Sequence, residues 1–404
     1  MTYNHYALVL LFAINLLNYI DRQVLFAVFP LIKADLHLSD TALGLLGSAF
    51  MLSYMISAPL LGCLGDRWSR VKLSGWGLSL WSIATATTGL AGKYATLLIS
   101  RAAVGIGEAS FGTVSPGLVS DYFPKSQRGR VLSFFYLAIP VGSAFGYVLG
   151  GLLGQTFGWH TVFFAAAIPG MILVVPLLFL REPQRGGFDK GTAENTATRA
   201  RDYTLLLKNR SFVITTLAMS SMTFALGGLA QWMPTFLHRM HGQSVAAGNT
   251  LFGAITVLSG IMGTLTGGWL GDLFQKKNAK GYLIVSGWGF LLGAPIAAYA
   301  LITHSLSGCL TAIFFAEFFL FFNTGPLNTI IINVTKPTVR AMAFAVNIFC
   351  IHALGDAISP TMLGWLSDLR GLRSSLLITP LTILLAALLS FICTRFIEED
   401  SRYG

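Results

Sequence analysis

Four charged side chains lie within apolar segments of the N-terminal half of the chain. Asp21 and Arg22 are adjacent in the string INLLNYIDRQVLF (residues 14–26), and Arg101 and Glu108 lie in a later apolar segment. A charge at bilayer depth costs about 2.5–3.5 kcal/mol even on the most lenient insertion scale, so each must be paired or perform a function. Carboxylates carry protons, and arginines bind phosphates or carboxylates through paired hydrogen bonds. The residue types therefore indicate a site for a proton and an anion.

The spacing of these charges along ideal helices places them at similar depths. Asp21 lies about 15 Å below the outer end of the first apolar segment, and Arg101 lies about 9 Å below the outer end of the fourth. Glu108 lies about 10 Å deeper than Arg101 on the same helix face. These depths predict crossed ion pairs of Asp21 with Arg101 and of Arg22 with Glu108.

Two interpretations of the four charges are open. They can be ion pairs that hold two helices together, or they can be a coupling site. In the second case Asp21 carries the proton, because burial and a neighbouring arginine act on it in opposite directions. Glu108 then shares the proton-coupling role by positioning the arginines, and Arg22 and Arg101, with Asn18, bind the substrate.

The C-terminal half offers a different set of polar residues. Glu317 is one acid among six phenylalanines in FFAEFFLFF (residues 314–322), which suits either an acyl chain in an apolar cavity or ordinary packing. We expect substrate-binding roles for Glu317, Asn323, Asn347 and Trp232.

Two further features of this half have open interpretations. His352 and Asp356 are i,i+4 neighbours, which fits a structural hydrogen bond, a gate or a proton relay. The string QWMP (residues 231–234) predicts either a break in the seventh apolar segment or a simple kink.

The elements that position these residues are membrane-spanning helices. The chain has 404 residues, of which 54% are hydrophobic and only 11% charged, whereas soluble domains carry about 25% charged residues. Hydropathy predicts twelve spans, at about 6–31, 40–64, 71–92, 95–120, 130–154, 160–180, 211–238, 245–271, 281–302, 307–334, 341–366 and 374–395. The first apolar run is too long for a cleaved signal peptide, so we assign it as span 1.

The basic residues set the predicted orientation. Alternate loops and the C-terminal tail hold most of the 27 lysines and arginines. The opposite loops hold only Lys33, Lys93, Arg239, Arg370 and Arg373. By the positive-inside rule both termini are cytoplasmic, and we expect an inner-membrane location. The net charge of +10 thus reflects topology, and we expect no nucleic-acid partner.

The chain divides into two halves, and each half carries a similar sequence motif at the end of its second span. We predict an N-terminal six-helix bundle at 1–181, a cytoplasmic linker at 182–210 and a C-terminal bundle at 211–404. Span 2 ends in GCLGDR (residues 62–67) and span 8 ends in GWLGD (residues 268–272), which indicates two parallel repeats.

Glycines recur every four residues in one helix of each half. The stripes are Gly142, Gly146 and Gly150 in span 5, and Gly263, Gly267 and Gly271 in span 8. They predict tight helix packing, surfaces on which the two halves rock against each other, or both, since the two interpretations are compatible.

Several strings carry a resemblance to a known family. GCLGDRWSR (residues 62–70) resembles the loop 2–3 signature of the major facilitator superfamily, and RAAVGIGEA (residues 101–109) resembles its helix 4 signature. The chain also resembles the Spinster-like branch, whose animal members export sphingosine-1-phosphate or lysophospholipids. The strings that carry this second resemblance are NYIDR (18–22), VGIGEAS (104–110), FYLAIPVGS (135–143) and KNRSF (208–212).

The resemblance implies an all-α membrane protein with the major facilitator fold of twelve transmembrane helices in two pseudo-symmetric six-helix bundles. It implies proton-driven transport of a lipid-like, anionic or amphipathic substrate by alternating access. It also implies that Asp66, Arg67 and Arg70 lock the cytoplasmic side to span 11, with Asp272 as a weaker counterpart because no arginine follows it. Asp121 with Arg128 and Arg130 is expected to form a solvated cluster.

Other classes of protein are disfavoured. The sequence has no Gly-x-Ser-x-Gly, His-Glu-x-x-His or P-loop motif, so we expect neither an enzyme nor a nucleotide-driven pump. We expect no cofactor and no metal, with a proton gradient as the energy source. We also expect a monomer. The alternatives that stay open are a proton-coupled carrier of small organic anions such as sugar acids, and a multidrug exporter.

Overall fold

The computed structural model describes residues 3–185, 206–335 and 339–401, and within them all regular structure is helical. Eleven helices of this described part are long and apolar enough to cross a membrane. A further 20-residue helix, Arg70–Gly89, occupies the position of the third predicted span. The predicted all-α membrane fold is therefore confirmed, with a helix at each of the twelve positions.

The chain forms two compact units. The first takes Met1–Ala193 together with Met233–Gly253, and the second takes Glu194–Trp232 and Ala254–Gly404. Residues 186–205 of the expected linker lie outside the described residues. The first unit thus contains the end of the seventh span and the beginning of the eighth.

The helices of the first unit begin with the segment that holds Asp21 and Arg22. They are α1 (Tyr3–Ala27), α2 (Phe29–Leu36), α3 (Asp40–Arg67), α4 (Arg70–Gly89), α5 (Tyr94–Asp121), α6 (Lys125–Tyr136), α7 (Ala138–Phe157) and α8 (Trp159–Leu178). Two long helices, α9 (Arg210–His241) and α10 (Val245–Gln275), run through both units.

The remaining helices belong to the second unit and are more often interrupted. They are α11 (Gly281–Ile302), α12 (Leu306–Leu320), α13 (Pro326–Asn333), α14 (Arg340–Ile351), α15 (Ser359–Arg370), α16 (Leu372–Leu376), α17 (Ile378–Cys393) and α18 (Ile397–Asp400).

Serine caps and glycine turns set several helix ends. The hydroxyls of Ser39, Ser69 and Ser305 accept hydrogen bonds from backbone amides in the first turns of α3, α4 and α12. Gly158 after α7 and Gly371 after α15 adopt nearly the same backbone conformation, with φ of 84° and 82°. A positive φ favours glycine, and its recurrence at equivalent places in the two halves supports a duplicated origin.

Both glycine stripes serve packing inside one unit. A Cβ atom added at Gly142 or Gly146 of α7 would overlap α1 at Leu16 or Ile20. Cβ atoms at Gly263 and Gly267 of α10 would overlap the backbone at Phe318 and Phe322. These neighbours support the interpretation as tight helix packing, since backbones of the same unit occupy the space.

Spans 10 and 11 lie at their predicted positions, but each contains an irregular turn. Span 10 is interrupted by a 3₁₀ turn at Phe321–Asn323, before a proline that cannot donate a backbone hydrogen bond. Span 11 is interrupted by a π-helical turn at His352–Asp356, where Gly355 leaves helical geometry. Of the two interpretations of QWMP (residues 231–234), the helix break is absent, since α9 continues through Pro234 to His241, and the kink stays a prediction.

Candidate functional site

The four charges of the first unit form the predicted crossed pairs. Arg22 Nε lies 2.7 Å from Glu108 Oε2, and Arg101 Nη1 lies 3.6 Å from Asp21 Oδ1. The first contact is a hydrogen-bonded ion pair, whereas the second is too long for a hydrogen bond. The predicted pairing between α1 and α5 is therefore confirmed.

Helix geometry aims the adjacent residues Asp21 and Arg22 at different partners. Consecutive side chains of a helix point about 100° apart, so one turn of α1 can address Arg101 and Glu108 separately. Asp21, Arg101 and Glu108 are at most 2% exposed. Thr85 of α4, which the sequence did not single out, donates a hydrogen bond of 2.5 Å to Asp21 Oδ2.

Arg22 is the most accessible member of the cluster, with 18% of its side chain exposed. Its guanidinium lies 5.0–5.1 Å from the ring centres of Tyr19, Phe50 and Tyr54. Phe50 also contacts the Arg101 guanidinium at 5.2 Å. Such rings stabilise a desolvated cation, so they hold the arginines in place without neutralising them. The i,i+4 spacing of Phe50 and Tyr54 was the available signal for this feature.

Several buried atoms of the cluster have no hydrogen-bond partner among the described residues. They are Asp21 Oδ1, Glu108 Oε1, Arg101 Nε and Nη1, and Asn18 Nδ2. Buried polar groups are nearly always satisfied, and the exceptions need an explanation. Here acceptors and donors are both unfilled within one cluster, so it has capacity for a proton and for an anionic group.

The acid of the second unit has a different environment. Glu317 on α12 accepts hydrogen bonds from Thr256 Oγ1 at 3.1 Å and from Ser259 Oγ at 2.8 Å, both on α10. The carboxylate is 9% exposed, and the described part of the chain offers it no ion pair.

The other predicted substrate-binding residues of this unit are also buried. Asn323 donates to Leu320 O in the 3₁₀ turn, and Trp232 Nε1 donates to Pro360 O at 3.2 Å. Asn347 is 1% exposed, and its Oδ1 has no hydrogen-bond partner in the described residues. His352 Nδ1 lies 2.9 Å from Asp356 Oδ1, so the i,i+4 hydrogen bond that the sequence suggested is present in the π turn.

Arg70, one residue of the expected cytoplasmic latch, has two ion-pair partners inside the first unit. Arg70 Nη1 lies 2.7 Å from Asp121 Oδ2, and Arg70 Nε lies 3.2 Å from Glu182 Oε1. Asp66 and Arg67 are exposed. Asp121 is therefore paired rather than solvated, and the expected solvated cluster is wrong. Arg128 donates to the backbone carbonyls of Ser120 and Phe123.

Glu182 anchors this face by capping α4. Its carboxylate accepts hydrogen bonds from Ser69 Oγ and from the backbone amides of Arg70 and Val71. Burial acts to raise the pKa of Glu182, but these hydrogen bonds and that from the Arg70 side chain hold the pKa below its usual value. The exposed Asp272, the second-half counterpart of Asp66, accepts a hydrogen bond from Tyr282.

A second charged cluster lies at the predicted outer end of the first unit. Asp40, which is 3% exposed, accepts two hydrogen bonds from Arg239 at 2.7 and 2.8 Å and one from Lys33 at 2.5 Å. Nearby, Asn249 Nδ2 donates to Ala27 O, and the rings of Tyr147 and Phe252 meet edge to face at 5.1 Å. We call these contacts the outer seam. Sequence reasoning counted Lys33 and Arg239 as loop bases and missed Asp40.

A buried set of compensated charges inside a multi-pass helical membrane fold is typical of membrane transporters. The comparisons with known proteins agree with this class. The family model described as Major Facilitator Superfamily matches residues 11–360. The chain is 36% identical over 379 residues to protein spinster homolog 1 of Xenopus tropicalis, covering 89% of this chain and 72% of that protein.

Two further similarities support the same conclusion. The sphingosine-1-phosphate transporter SPNS2 of Mus musculus is 34% identical over 374 residues, which cover 88% of this chain and 68% of that protein. A crystal structure of a bacterial homologue of the human lysosomal transporter Spinster, inward-facing and unoccupied, superposes with a TM-score of 0.90 at 25% identity and covers 99% of this chain and 98% of that one. The chain belongs to the Major Facilitator Superfamily and, within it, to the Spinster-like branch.

Proposed function

We propose that this transporter moves a lipid-like anionic or amphipathic substrate, of the lysophospholipid or sphingosine-1-phosphate type, in exchange with or together with protons by alternating access. The observation that carries the proposal is the crossed cluster of Asp21, Arg22, Arg101 and Glu108, whose buried donors and acceptors are incompletely satisfied. The similarity to SPNS2 supports the substrate class.

The charge balance of the cluster explains how proton and anion would be linked. With all four groups ionised, two negative and two positive charges cancel. A proton on Asp21 removes one negative charge and leaves Arg101 without its counter-ion. An uncompensated buried cation is costly, so an anionic head group that reaches Arg101 becomes favourable. Asp21 is suited to this step because its contact with Arg101 is the longer of the two pairs.

The substrate side of the proposal rests on the arginines. Arg22 is the accessible cation, and the rings of Tyr19, Phe50 and Tyr54 keep it oriented. Arginine binds phosphate and carboxylate through two parallel hydrogen bonds, which a lysine cannot reproduce. Asn18 Nδ2 supplies one more unfilled donor. Substrate-binding roles for Glu317, Asn323, Asn347 and Trp232, and latch roles for Asp66, Arg67, Arg70 and Asp272, stay predictions.

The proton role of Asp21 is tested in proteoliposomes with an imposed pH gradient. Asp21→Asn keeps the shape and the hydrogen bond from Thr85 but cannot release a proton. We expect gradient-driven transport to fall by about tenfold or more, since the group that senses the gradient is fixed in its neutral form. Substrate exchange without a gradient should continue.

The matched control is Glu398→Gln, which removes an exposed carboxylate paired with Lys280 and should leave the gradient response intact. Gradient-driven transport at the wild-type level in Asp21→Asn would contradict the role of Asp21.

The substrate class is tested by thermal stabilisation of the purified protein. Lysophospholipids or sphingosine-1-phosphate should raise the melting temperature, and Arg22→Lys should abolish the shift while leaving the unliganded melting temperature nearly unchanged. Stabilisation by sugar acids with no response to lysolipids would favour the small-anion carrier instead.

The proposal includes the membrane arrangement. The carrier is a monomer in the inner membrane with both termini cytoplasmic, and the distribution of lysine and arginine supports this orientation. Accessibility of single cysteines placed in the loop after α10 and in the loop after α11 would check the orientation, because these loops must be labelled from opposite sides.

A further inference from the structure

Glu317 is a buried acid with no basic partner among the described residues. Its carboxylate lies on α12 within the membrane-spanning part of the second unit, where it contacts two hydroxyls of α10. An isolated ionised carboxylate in such surroundings is strongly unfavourable, so the group must be paired or lose its charge. Asp21 and Glu108 have arginines, whereas Glu317 has only Thr256 and Ser259.

The number of hydrogen atoms at Ser259 distinguishes the two forms of Glu317. Ser259 Oγ lies 2.8 Å from Ile255 O and also 2.8 Å from Glu317 Oε2. A serine hydroxyl has one proton to donate and can accept through its oxygen. Ser259 therefore cannot donate to both oxygens, and one of the two short contacts needs a proton from elsewhere.

A neutral Glu317 supplies that proton. Glu317 Oε2–H then donates to Ser259 Oγ, Ser259 donates to Ile255 O, and Thr256 donates to Glu317 Oε1 at 3.1 Å. All three hydrogens have acceptors, and no charge is buried. With an ionised Glu317, the Ser259 proton must turn to the carboxylate, and a full negative charge remains on two neutral hydrogen bonds.

The surrounding helices offer no ionic alternative. The α10 face next to α12 carries Gly263 and Gly267, whose missing side chains let the two backbones approach. The α11 face presents Gly289 and Gly293 to the carbonyls of Phe319 and Ala316. Among the described residues, only burial and the two hydroxyls act on the Glu317 carboxyl group, with no charged or titratable neighbour.

We propose that Glu317, Thr256 and Ser259 form a second proton-binding site, in the second unit, which holds a proton in the conformation of this structure. Its ligand is H⁺ itself, taken from water onto Glu317 Oε2. On release the Ser259 hydroxyl turns from Ile255 O to the carboxylate. The use of this proton in transport rests on the proposed proton-coupled function, but the site itself does not.

The test is infrared difference spectroscopy of the purified full-length protein during a pH titration. A protonated carboxylic acid has a carbonyl stretch distinct from that of a carboxylate. We expect such a band at neutral pH in the wild type and its loss in Glu317→Gln. Ser259→Ala should shift the band to higher frequency, because the acid loses its hydrogen-bond acceptor.

Two controls make the assignment specific. Ser390→Ala removes another buried hydroxyl that donates to a carbonyl four residues earlier, at 2.8 Å, but contacts no acid, so the band should not move. Asp21→Asn should lose gradient-driven transport and keep the band. A carboxylic-acid band that Glu317→Gln leaves at full wild-type intensity, or that is absent from the wild type at neutral pH, would overturn the proposal.

The yield of folded Glu317→Gln protein is a second, independent test of whether Glu317 is neutral. Glutamine reproduces the neutral acid, because its amide donates to Ser259 and its oxygen accepts from Thr256. Glu317→Gln should fold as well as the wild type, and its failure to fold would also overturn the proposal. If wild-type transport ignores a pH gradient while the band is present, the proposed coupling fails and the proton site remains.

Discussion

The two units bury acids at membrane depth in two different ways. In the first, Asp21 and Glu108 each face an arginine of the neighbouring helix. In the second, Glu317 faces two hydroxyls and no base in the described residues. The difference shows that the same cost of burying a carboxylate can be met by a counter-ion or by a proton. Only the first arrangement keeps charges that can be exchanged for those of a substrate.

Replacing a buried glutamate by glutamine should give the largest difference between the two units in the free energy of unfolding. Glu108→Gln leaves the Arg22 guanidinium without its ion pair, and loss of one partner of a buried pair costs about 3–5 kcal/mol. Glu317→Gln replaces one neutral hydrogen-bonding group by another and should change the free energy of unfolding by less than about 1 kcal/mol. Denaturant titration in detergent measures both.

The double variant Arg22→Gln/Glu108→Gln serves as the control, since it removes the unpaired charge and should recover part of the lost stability. Equal losses for the two single glutamine variants would show that Glu317 is ionised and paired in some other way.

A smaller effect tests how the Glu317 site is built. Gly267→Ala places a methyl group against the backbone of Phe322, and such overpacking costs about 1–3 kcal/mol. The next residue, Gly268, has no atom within 4 Å of the added Cβ, so Gly268→Ala should be neutral or stabilising by up to about 1 kcal/mol. The measurement is again the free energy of unfolding. A destabilised Gly268→Ala would show that helix propensity, and not close approach of α10 and α12, governs these glycines.

The smallest effect concerns Glu182, an acid that stays ionised because it has amide donors and Arg70. Its pKa is held below the ordinary value of 4.5, so its contribution to stability is present above that pH and is lost as the pH falls through the lower, folded-state value. Glu182→Gln should cost about 1 kcal/mol at neutral pH. It should also flatten the pH dependence of the melting temperature in the acidic range.

Glu182 thereby contrasts with Glu317, whose variant should not lose stability at neutral pH. A Glu182→Gln protein that melts at the wild-type temperature at neutral pH, with an unchanged acidic limb, would show that the cap of α4 contributes nothing.

The sequence could predict the helices and the crossed pairs because both depend only on how far apart residues lie along a helix. Apolar length sets a span, and rise per residue sets the depth of Asp21 and Glu108. It could not predict Thr85 beneath Asp21 or Glu182 against Arg70, because such contacts depend on which helix faces meet. The interruption at Phe321–Asn323 had a signal, since glycine and proline follow it, but the π turn at Gly355 had none.

Asp40 shows the same limit. Its position at the start of α3 after a serine cap is readable from the sequence, yet its partner Arg239 lies in the other half of the chain. Charge counts assign such residues to a membrane side and say nothing about pairing.

The outer seam holds two helices that continue beyond the first unit. α9 and α10 run without interruption past the boundaries of the first unit at Met233 and Gly253. Within the first unit, Asp40 holds the end of α9 and the carbonyl of Ala27 holds the beginning of α10. Pro234 lies next to the unit boundary at Met233 in α9. Its missing backbone donor makes this point the easiest place for the helix to bend.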